Sequence, residues 1–338
     1  MKTPEIRIIE PYRVELVETE LPERLGPHQV RIRTLYSAIS SGTELAVYTG
    51  THQWLSDPNY PNWRFPFRAG YSSSGVVEAV GEAVSRVRVG DRVVCAGNHG
   101  ATVVLSERSV WPDPHGVRPE LSAFTCIARY GMGAAARIGT TMGRSVFVLG
   151  LGVIGQFALR SFVAAGAYPV VGLDLYENRR QLALQGGATA ALDPTTDDFA
   201  VQAAALLGDC RAEVVADATG LPKGVPLAMS LTRDGGKCVV VGSPRGLADG
   251  VNFYPDLHRR SIEVIGAHGD FLNSPIGEAL GWNVDRAMSW LLAMMATERL
   301  PTLGIPTEVL PPERAPDAYD RLLNDKAHTA CIAFDWTR

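Results

Sequence analysis

The sequence has few cysteines, and no two of them are spaced to act together. The five thiols are scattered and odd in number, without a C-x-x-C pair, at Cys95, Cys126, Cys210, Cys238 and Cys331. This spacing excludes a four-cysteine structural zinc site and argues against a disulfide framework. We therefore expect reduced thiols, as in a cytoplasmic protein.

Runs of one charge sign and uninterrupted apolar segments are also missing. The 338 residues carry 32 Lys and Arg against 36 Asp and Glu, a formal net charge of −4, without a basic run. This balance argues against nucleic acid or an anionic membrane surface as partner. The longest apolar region, residues 145–174, contains Gln156, Arg160 and several glycines, which excludes a membrane span. No charged-then-apolar leader precedes Pro4, so a cytoplasmic location without a signal peptide is expected.

The same region carries the strongest motif of the chain. An apolar run at Val146–Leu149 leads into Gly150-Leu151-Gly152-Val153-Ile154-Gly155, the G-x-G-x-x-G pattern, and a helical period then extends to Gly166. A second apolar run, Val170–Leu173, ends on Asp174. Strand, tight turn, helix and parallel strand in this order predict the βαβ unit of a dinucleotide site.

Each residue type in this motif has a physical role. Gly150 permits the tight turn, Gly152 lets a pyrophosphate approach the helix N-terminus, and Gly155 allows close packing of helix and strand. Asp174 follows Gly155 by 19 residues and can accept hydrogen bonds from both ribose hydroxyls of NAD, while it would repel the 2′-phosphate of NADP. Arg179 either softens that repulsion or is a solvated charge of the next helix. The sequence therefore predicts NAD as cofactor.

The remaining patterns predict an α/β protein with a β-rich first part. After Asp174, short apolar strands alternate with helical segments and complete a doubly wound parallel sheet. Residues near the end of the chain have a strand–helix–strand pattern. The strands expected in the first part are Ile6–Ile9, Val30–Thr34, Val76–Val80, Arg92–Cys95 and Thr102–Leu105.

Several short motifs, in this order and spacing, give the chain a family resemblance. They are Ser41-Gly42-Thr43-Glu44, Gly70–Val77, Gly90-Asp91-Arg92-Val93, Gly150–Gly155, Asp217-Ala218-Thr219-Gly220, Gly235–Gly242 and Glu313–Tyr319. Together they resemble the medium-chain dehydrogenase/reductase superfamily. The resemblance implies a GroES-like catalytic domain at 1–125 and 269–338 and a Rossmann dinucleotide domain at 126–268. It also implies a homodimer acting on a small molecule.

Two of these motifs lack the residues that hold catalytic zinc in many members of that superfamily. The Cys-Gly-Ser/Thr-Asp motif is replaced by Ser41-Gly42-Thr43-Glu44, and Gly-His-Glu is replaced by Gly70-Tyr71-Ser72. A third ligand would fall near Cys126, where the alignment is loose. Since zinc needs deprotonated sulfur, nitrogen or oxygen ligands, we expect no metal. The pattern resembles a zinc-lacking branch that includes bacteriochlorophyllide-type hydroxyethyl dehydrogenases and the dehydrogenase halves of two-domain bacterial oxidoreductases.

The resemblance implies NAD-linked interconversion of a secondary alcohol and a ketone, for which a side chain must take the hydroxyl proton. Tyr71 is either that group or an aromatic lining the cleft, and His99 is either a proton acceptor or a structural histidine. Thr43 would hold the substrate hydroxyl. Glu44 would orient a neighbouring Arg or His, or is a plain charge at a helix start.

The resemblance also implies contacts to cofactor and substrate, and one segment next to the two zinc motifs bears on the substrate. This segment, residues 50–68, is rich in aromatics and is either a lid that selects a bulky or ring-shaped substrate or a surface loop that packs its own rings. Expected substrate contacts are Ser41, Trp54, Trp63, Asn98, Arg129 and His268. Expected cofactor contacts are Gly150, Gly152, Val153, Ile154, Gly155, Asp174, Arg179, Thr219, Gly220, Val241, Gly242 and Ala267.

Two other functions remain open on the sequence alone. Quinone or enoyl reduction with NADPH occurs in other zinc-free members of the superfamily, but Asp174 disfavours NADPH. A non-catalytic NAD-binding protein would keep the Rossmann residues and lose polar groups from the cleft, whereas Thr43, Glu44, Tyr71 and His99 are all present.

Overall fold

The computed structural model describes all 338 residues and separates them into two compact units. Unit one comprises Met1–Ile127, Met288–Ala296 and Ile305–Arg338, and unit two comprises Ala128–Ala287 and Thr297–Gly304. Residues 269–287, expected in the catalytic domain, are thus part of unit two. The reason is local packing: Gly269 lies directly against the Tyr130 ring, and Phe271 lies against Gly133.

The secondary structure is mixed along the whole chain. In the first 138 residues it consists of β1 (Lys2–Glu10), β2 (Arg13–Glu20), β3 (Gln29–Ala38), α1 (Ser41–Tyr48), β4 (Phe67–Arg68), β5 (Ser73–Val80), β6 (Arg92–Cys95), β7 (Thr102–Ser106), β8 (Val110–Pro112), α2 (Pro119–Ser122) and α3 (Thr125–Ile138). Thereafter it consists of β9 (Val146–Leu149), α4 (Val153–Ala164), β10 (Val170–Leu173), α5 (Glu177–Gln185), β11 (Ala190–Leu192), α6 (Phe199–Leu207), β12 (Ala212–Asp217), α7 (Gly224–Leu231), β13 (Thr232–Val240), β14 (Glu263–Gly266), α8 (Pro275–Ala279), α9 (Val284–Ala296), β15 (Glu308–Leu310), α10 (Ala315–Asn324) and β16 (Ile332–Asp335).

Unit one is built on two sheets. A three-stranded sheet has the order β2-β1-β4, and a seven-stranded sheet has the order β15-β16-β3-β5-β6-β8, with β7 pairing to β3. Inward and outward residues alternate along β3, where Val30 and Ile32 are fully buried while Arg33 is exposed. Strand β16 lies between β15 and β3, so residues near the end of the chain complete the sheet that residues near its start begin.

Unit two confirms the predicted doubly wound parallel sheet. Its six strands have the order β11-β10-β9-β12-β13-β14, and all pairings are parallel. Strands β9 and β10 are buried throughout, because helices cover both faces of the sheet. The strand order reverses between β9 and β12, which makes their carboxyl ends the expected ligand crevice of this topology. No helix of the chain has both the length and the apolarity of a membrane span.

Arg160, on α4, is fully buried in unit two. Its guanidinium donates hydrogen bonds to the carbonyl oxygens of Pro301 (2.6 Å), Leu182 (3.1 Å) and Leu303 (3.3 Å). It also donates to the backbone and side-chain oxygens of Gln156. One cation therefore joins α4 to the end of α5 and to the segment at 297–304.

Strand β2 and the extent of helix α1, both in unit one, were not anticipated from the sequence. Strand β2 has the sequence RVELVETE, and its three glutamates interrupt the apolar run by which a strand is recognised. The strand is only half-buried where it pairs with β1. Helix α1 is only eight residues long and contains Gly42 in its first turn, so it has little helical signal. It forms because its buried face, Ala46, Val47 and Tyr48, packs into the core of unit one.

Candidate active site

The glycine loop between β9 and α4 has the geometry that the motif predicts. Gly150 has φ of +84°, and a Cβ there would lie 2.9 Å from the backbone of Thr219. A Cβ on Gly155 would lie 1.8 Å from the carbonyl oxygen of Gly150, so helix and strand touch directly. Both positions therefore require glycine.

Gly152 differs from its neighbours, because a Cβ built there meets no atom within 4 Å. It is the N-cap of α4, whose first two residues are Val153 and Ile154. Nothing inside the protein demands a glycine at this point. An open approach to the N-terminus of a 12-residue helix fits an anionic pyrophosphate, which would meet the unpaired N–H groups there.

Asp174 fixes the glycine loop as well as ending β10. Its side chain is 7% exposed, and its oxygens accept hydrogen bonds from the backbone N–H groups of Leu151 (2.7 Å) and Tyr176 (2.9 Å). The Nη1 atom of Arg179 lies 3.7 Å from Asp174 Oδ2, and its buried Nε has no hydrogen-bond partner. Asp174 and Arg179 thus lie side by side.

The other expected cofactor residues lie at the carboxyl ends of neighbouring strands. Asp217 Oδ1, at the end of β12, accepts hydrogen bonds from Thr219 N (2.9 Å) and Thr219 Oγ1 (2.7 Å), which shapes the turn to Gly220. Burial raises the pKa of Asp217, and the bonds from Thr219 oppose that shift. The N–H groups of Val241 and Gly242 both donate to the Asp217 carbonyl oxygen, at 2.8 and 2.9 Å. Ala267 N likewise donates to Val240 O at 2.9 Å, so these turns line one edge of the sheet.

In unit one, Glu44 and His99 are the centre of a buried hydrogen-bond network. His99 is fully buried; its Nε2 lies 3.0 Å from Glu44 Oε2, and its Nδ1 lies 2.8 Å from Ser37 Oγ. Glu44 Oε1 accepts from Ser40 N at 2.7 Å, and Tyr319 Oη donates to Glu44 Oε2. The pKa of Tyr319 is well above its ordinary value, because burial and the Glu44 carboxylate both disfavour the phenolate. Tyr319 therefore remains a donor to Glu44.

Tyr71 and Thr43 lie on the wall of a cavity of about 590 Å³ in unit one, which Glu44 also borders. The phenol of Tyr71 is half-buried, and its Oη lies 2.6 Å from Ser40 Oγ. His99 lies behind this wall, with both ring nitrogens hydrogen-bonded inside the protein. Of the four expected catalytic residues, the structure brings three to the cavity and places His99 in contact with Glu44.

The aromatic segment at 50–68 packs its own rings and also borders the cavity. Trp54 stacks on Tyr60 with ring centroids 4.2 Å apart, and Trp63 stacks on His52 at the same distance. Trp63 and Phe67 line the cavity, whereas Trp54 does not. The segment therefore packs its own rings, as the second alternative expected, and its selection of a bulky or ring-shaped substrate stays a prediction.

The remaining expected substrate residues do not line this cavity. Ser41 is the first residue of α1, and Asn98 Nδ2 donates to Glu5 Oε2 at 3.2 Å. In unit two, Arg129 Nη2 donates to Tyr130 Oη at 3.2 Å, and the exposed His268 lies 3.2 Å from Asp270. None of these contacts by itself points to substrate binding.

Sequence reasoning gave no role to Ser37, Ser40 or Tyr319, which hold Glu44, His99 and Tyr71 in place. Ser37 lies near the end of β3 and Ser40 directly precedes α1, and nothing in the neighbouring sequence distinguishes either serine. Tyr319 ends the Glu313–Tyr319 motif, so a signal was present, but its contact with Glu44 spans 275 residues.

The donor set of this site does not fit a catalytic zinc. Serine and a tyrosine stand at the two positions that matched zinc-ligand motifs, and the Tyr71 hydroxyl is bonded to Ser40 instead. Nowhere in the chain do three His, Cys, Asp or Glu side chains come together as a metal would require. Cys126, near the expected third position, is 2% exposed. Neutral hydroxyls are poor zinc ligands, so these two positions do not hold the metal well.

Comparison with known protein families identifies both parts of the chain. Residues 26–146 match the alcohol dehydrogenase GroES-like domain, and residues 153–278 match the family described as zinc-binding dehydrogenase. The two matches lie in sequence order and together cover most of the chain.

Individual relatives have low sequence identity to this chain but align with most of its length. L-threonine 3-dehydrogenase of Thermococcus kodakarensis is 26% identical over 295 residues, 77% of this chain and 81% of that protein. An oxidoreductase/dehydrogenase of unknown specificity from Escherichia coli has the same fold, with a TM-score of 0.84 at 19% identity and 99% coverage of both chains. The 2R,3R-butanediol dehydrogenase of Bacillus subtilis gives a TM-score of 0.80 at 21% identity, covering 98% of this chain and 99% of that one.

Proposed function

The chain is a member of the medium-chain dehydrogenase/reductase superfamily and an NAD(P)-dependent oxidoreductase of the alcohol dehydrogenase type, and on this premise we propose that it interconverts a secondary alcohol and a ketone with NAD and without zinc. The observation that carries the proposal is the Tyr71–Ser40 hydrogen bond of 2.6 Å on the cavity wall. Ser41 and Tyr71 stand at the positions of two zinc ligands, and the Tyr71 hydroxyl is hydrogen-bonded to that of Ser40, the residue before Ser41.

Each side chain of the cavity wall has a distinct part in this proposal. Thr43 holds the substrate hydroxyl, and Tyr71 relays its proton: the phenol oxygen accepts it while the phenol's own proton passes through Ser40 Oγ towards solvent. Acceptance of the hydride is the chemistry that a bound nicotinamide supplies.

Glu44 and His99 support this wall from behind. Glu44 receives hydrogen bonds from Ser40 N, His99 and Tyr319, so three donors fix its position. We therefore propose His99 as a positioning residue rather than the group that meets the substrate proton, because neither ring nitrogen is left for a substrate.

A substrate screen tests the proposal directly. Purified protein is incubated with NAD and a panel of secondary alcohols, among them 2,3-butanediol, threonine and sugar alcohols, and NADH formation is followed by absorbance. We expect turnover of at least one secondary alcohol and none of the matching primary alcohols. Reduction of quinones or enones with NADPH, and no oxidation of any alcohol, would favour the alternative reductase function.

Cofactor preference depends on Asp174. We expect NADH to bind more tightly than NADPH, because the carboxylate repels a 2′-phosphate. An Asp174→Ala variant should lose about 1–3 kcal/mol of NAD binding, since a charge-assisted hydrogen bond is removed. Titration of cofactor fluorescence measures the affinities of the parent for NADH and NADPH and the loss of affinity in the variant. Asp209→Ala, an exposed acid of the same unit, is the matched control, and tighter binding of NADPH than NADH by the parent would contradict the assignment.

Zinc content is a separate measurement. Because Ser41 and Tyr71 replace two ligands, we expect substoichiometric zinc after purification and unchanged activity after chelation. Elemental analysis of protein expressed with zinc in the medium gives the number of zinc ions per chain. One firmly held zinc per chain, removed together with activity, would show that other residues form a metal site.

The edge of the parallel sheet predicts a homodimer. Strand β14 is outermost and pairs only with β13, and its Val264 is 44% exposed. An open edge with an exposed apolar residue favours pairing with a second copy. We expect a dimer by light scattering, and a monomer for Val264→Lys. The control Val201→Lys, at a 71% exposed valine of α6, should remain dimeric; a monomeric parent would contradict the prediction.

A further inference from the structure

The cavity that Tyr71 and Thr43 border has a strongly cationic rim. Of the residues that line it, three are arginines, Arg7, Arg64 and Arg68. No proposed step of the hydride-transfer chemistry needs three guanidinium groups. The presence of three arginines on one cavity is therefore better explained by a chemical group of the substrate.

Two of these arginines are held in place by one buried acid. Glu5 is 1% exposed; its Oε1 pairs with Arg7 Nε at 2.5 Å and its Oε2 pairs with Arg68 Nη2 at 2.7 Å. Arg7 Nη2 also donates to Thr19 Oγ1 at 3.1 Å, and Arg68 approaches Asn98 Oδ1 at 3.4 Å. One carboxylate thus fixes two guanidinium groups and neutralises only one of them.

The third arginine has no acid at all. Arg64 is exposed and forms no ion pair in the structure. Glu44 also borders the cavity, but its carboxylate is buried and already receives bonds from Ser40 N, His99 and Tyr319. Three positive charges therefore face two negative ones, and of the two acids only Glu5 is paired with arginines of the rim.

We infer that this rim binds an oxyanion, a phosphate or carboxylate, carried by the substrate on the side away from its reacting hydroxyl. A guanidinium offers a planar fork of N–H donors that matches either group. A cavity of about 590 Å³ accommodates a polyhydroxylated chain that extends from the hydroxyls of Thr43 and Tyr71 to the arginines. This inference rests on the proposed function and adds the charge of the substrate to it.

The experiment compares three sugar derivatives that differ in one group: sorbitol, which is neutral, sorbitol 6-phosphate and gluconate. Oxidation by NAD is measured for the parent and for Arg64→Gln. That substitution breaks no bond in the folded protein, whereas removal of Arg7 or Arg68 would disturb the buried Glu5. Arg24→Gln, at an exposed arginine of the same unit outside the cavity, is the matched control.

We expect kcat/KM for at least one anion to exceed that for sorbitol about tenfold or more, and Arg64→Gln to reduce this ratio about tenfold, since a hydrogen bond to a charged group is lost. The Arg24→Gln control should keep the ratio of the parent. If sorbitol and both anions are oxidised equally, and Arg64→Gln changes nothing, the inference is overturned while the proposed function stands.

Calorimetric titration with inorganic phosphate and the two anions provides a readout without turnover. Saturable binding that Arg64→Gln weakens, together with no NADH formation from any alcohol, would support the anion site and overturn the proposed function. Absence of saturable binding for all three anions would overturn the anion site.

Discussion

A Tyr71→Phe variant should oxidise the best alcohol substrate about 100-fold or more slowly than the parent, because a general acid–base group typically contributes 10²–10⁴-fold. The substitution removes only the hydroxyl that lies 2.6 Å from Ser40 Oγ. The ring still fills its half-buried place, so folding and the cavity shape should be preserved. The loss should therefore appear in kcat.

Three further measurements make this result specific. NAD affinity should be unchanged, because the cofactor residues belong to unit two and Tyr71 belongs to unit one. Tyr12→Phe, at a 63% exposed tyrosine of the same unit, should behave like the parent. Ser40→Ala should give a smaller loss, since it misaligns the phenol without removing it. A Tyr71→Phe enzyme with the kcat of the parent would show that another group takes the proton.

Replacement of Arg160 should have the largest effect on stability. We expect Arg160→Met to lower the free energy of unfolding of the protein by about 3–5 kcal/mol, because several buried oxygens lose their donor at once. The oxygens of Gln156 and the carbonyl of Leu182 would remain buried without a donor, and the carbonyls of Pro301 and Leu303 would lose the partner that they now share. Methionine fills a similar volume, which limits the cavity term.

The control for this prediction is Arg299→Met, at an exposed arginine of the same unit, which should change the free energy of unfolding by less than about 0.5 kcal/mol. Denaturant unfolding of both variants, followed by circular dichroism, gives the comparison. Equal midpoints for Arg160→Met and the parent would mean that water or backbone rearrangement satisfies these carbonyls.

The parts of the structure that sequence could predict are those governed by neighbouring residues. The G-x-G-x-x-G loop is one example, since the positive φ of Gly150 and the contact of Gly155 with Gly150 arise within six residues. The parallel sheet is another, because its strands are short apolar runs between helical segments. Both were confirmed in position and type.

The surroundings of His99 lay beyond sequence reasoning because its partners are distant in the chain. Ser37 lies 62 residues away from His99, and Tyr319 lies 275 residues away from its partner Glu44. Whether a histidine faces a cavity or lies behind its wall depends on the packing of several elements. The arginine rim is a similar case: Glu5 and Arg68 are 63 residues apart, and nothing near either one predicts the pair.

The route of the chain through its two units has a consequence for biosynthesis. All but eight of the residues of unit two form one continuous segment, Ala128–Ala287, so nearly all of this unit emerges from the ribosome in a single stretch. Unit one begins earlier but needs Tyr319 for Glu44 and β16 for the edge of β3. During translation the first 127 residues therefore remain incomplete, with part of the edge of β3 unpaired, while unit two is synthesised and folds. The half synthesised first is therefore completed last, and its nascent form is the one that most needs protection from aggregation.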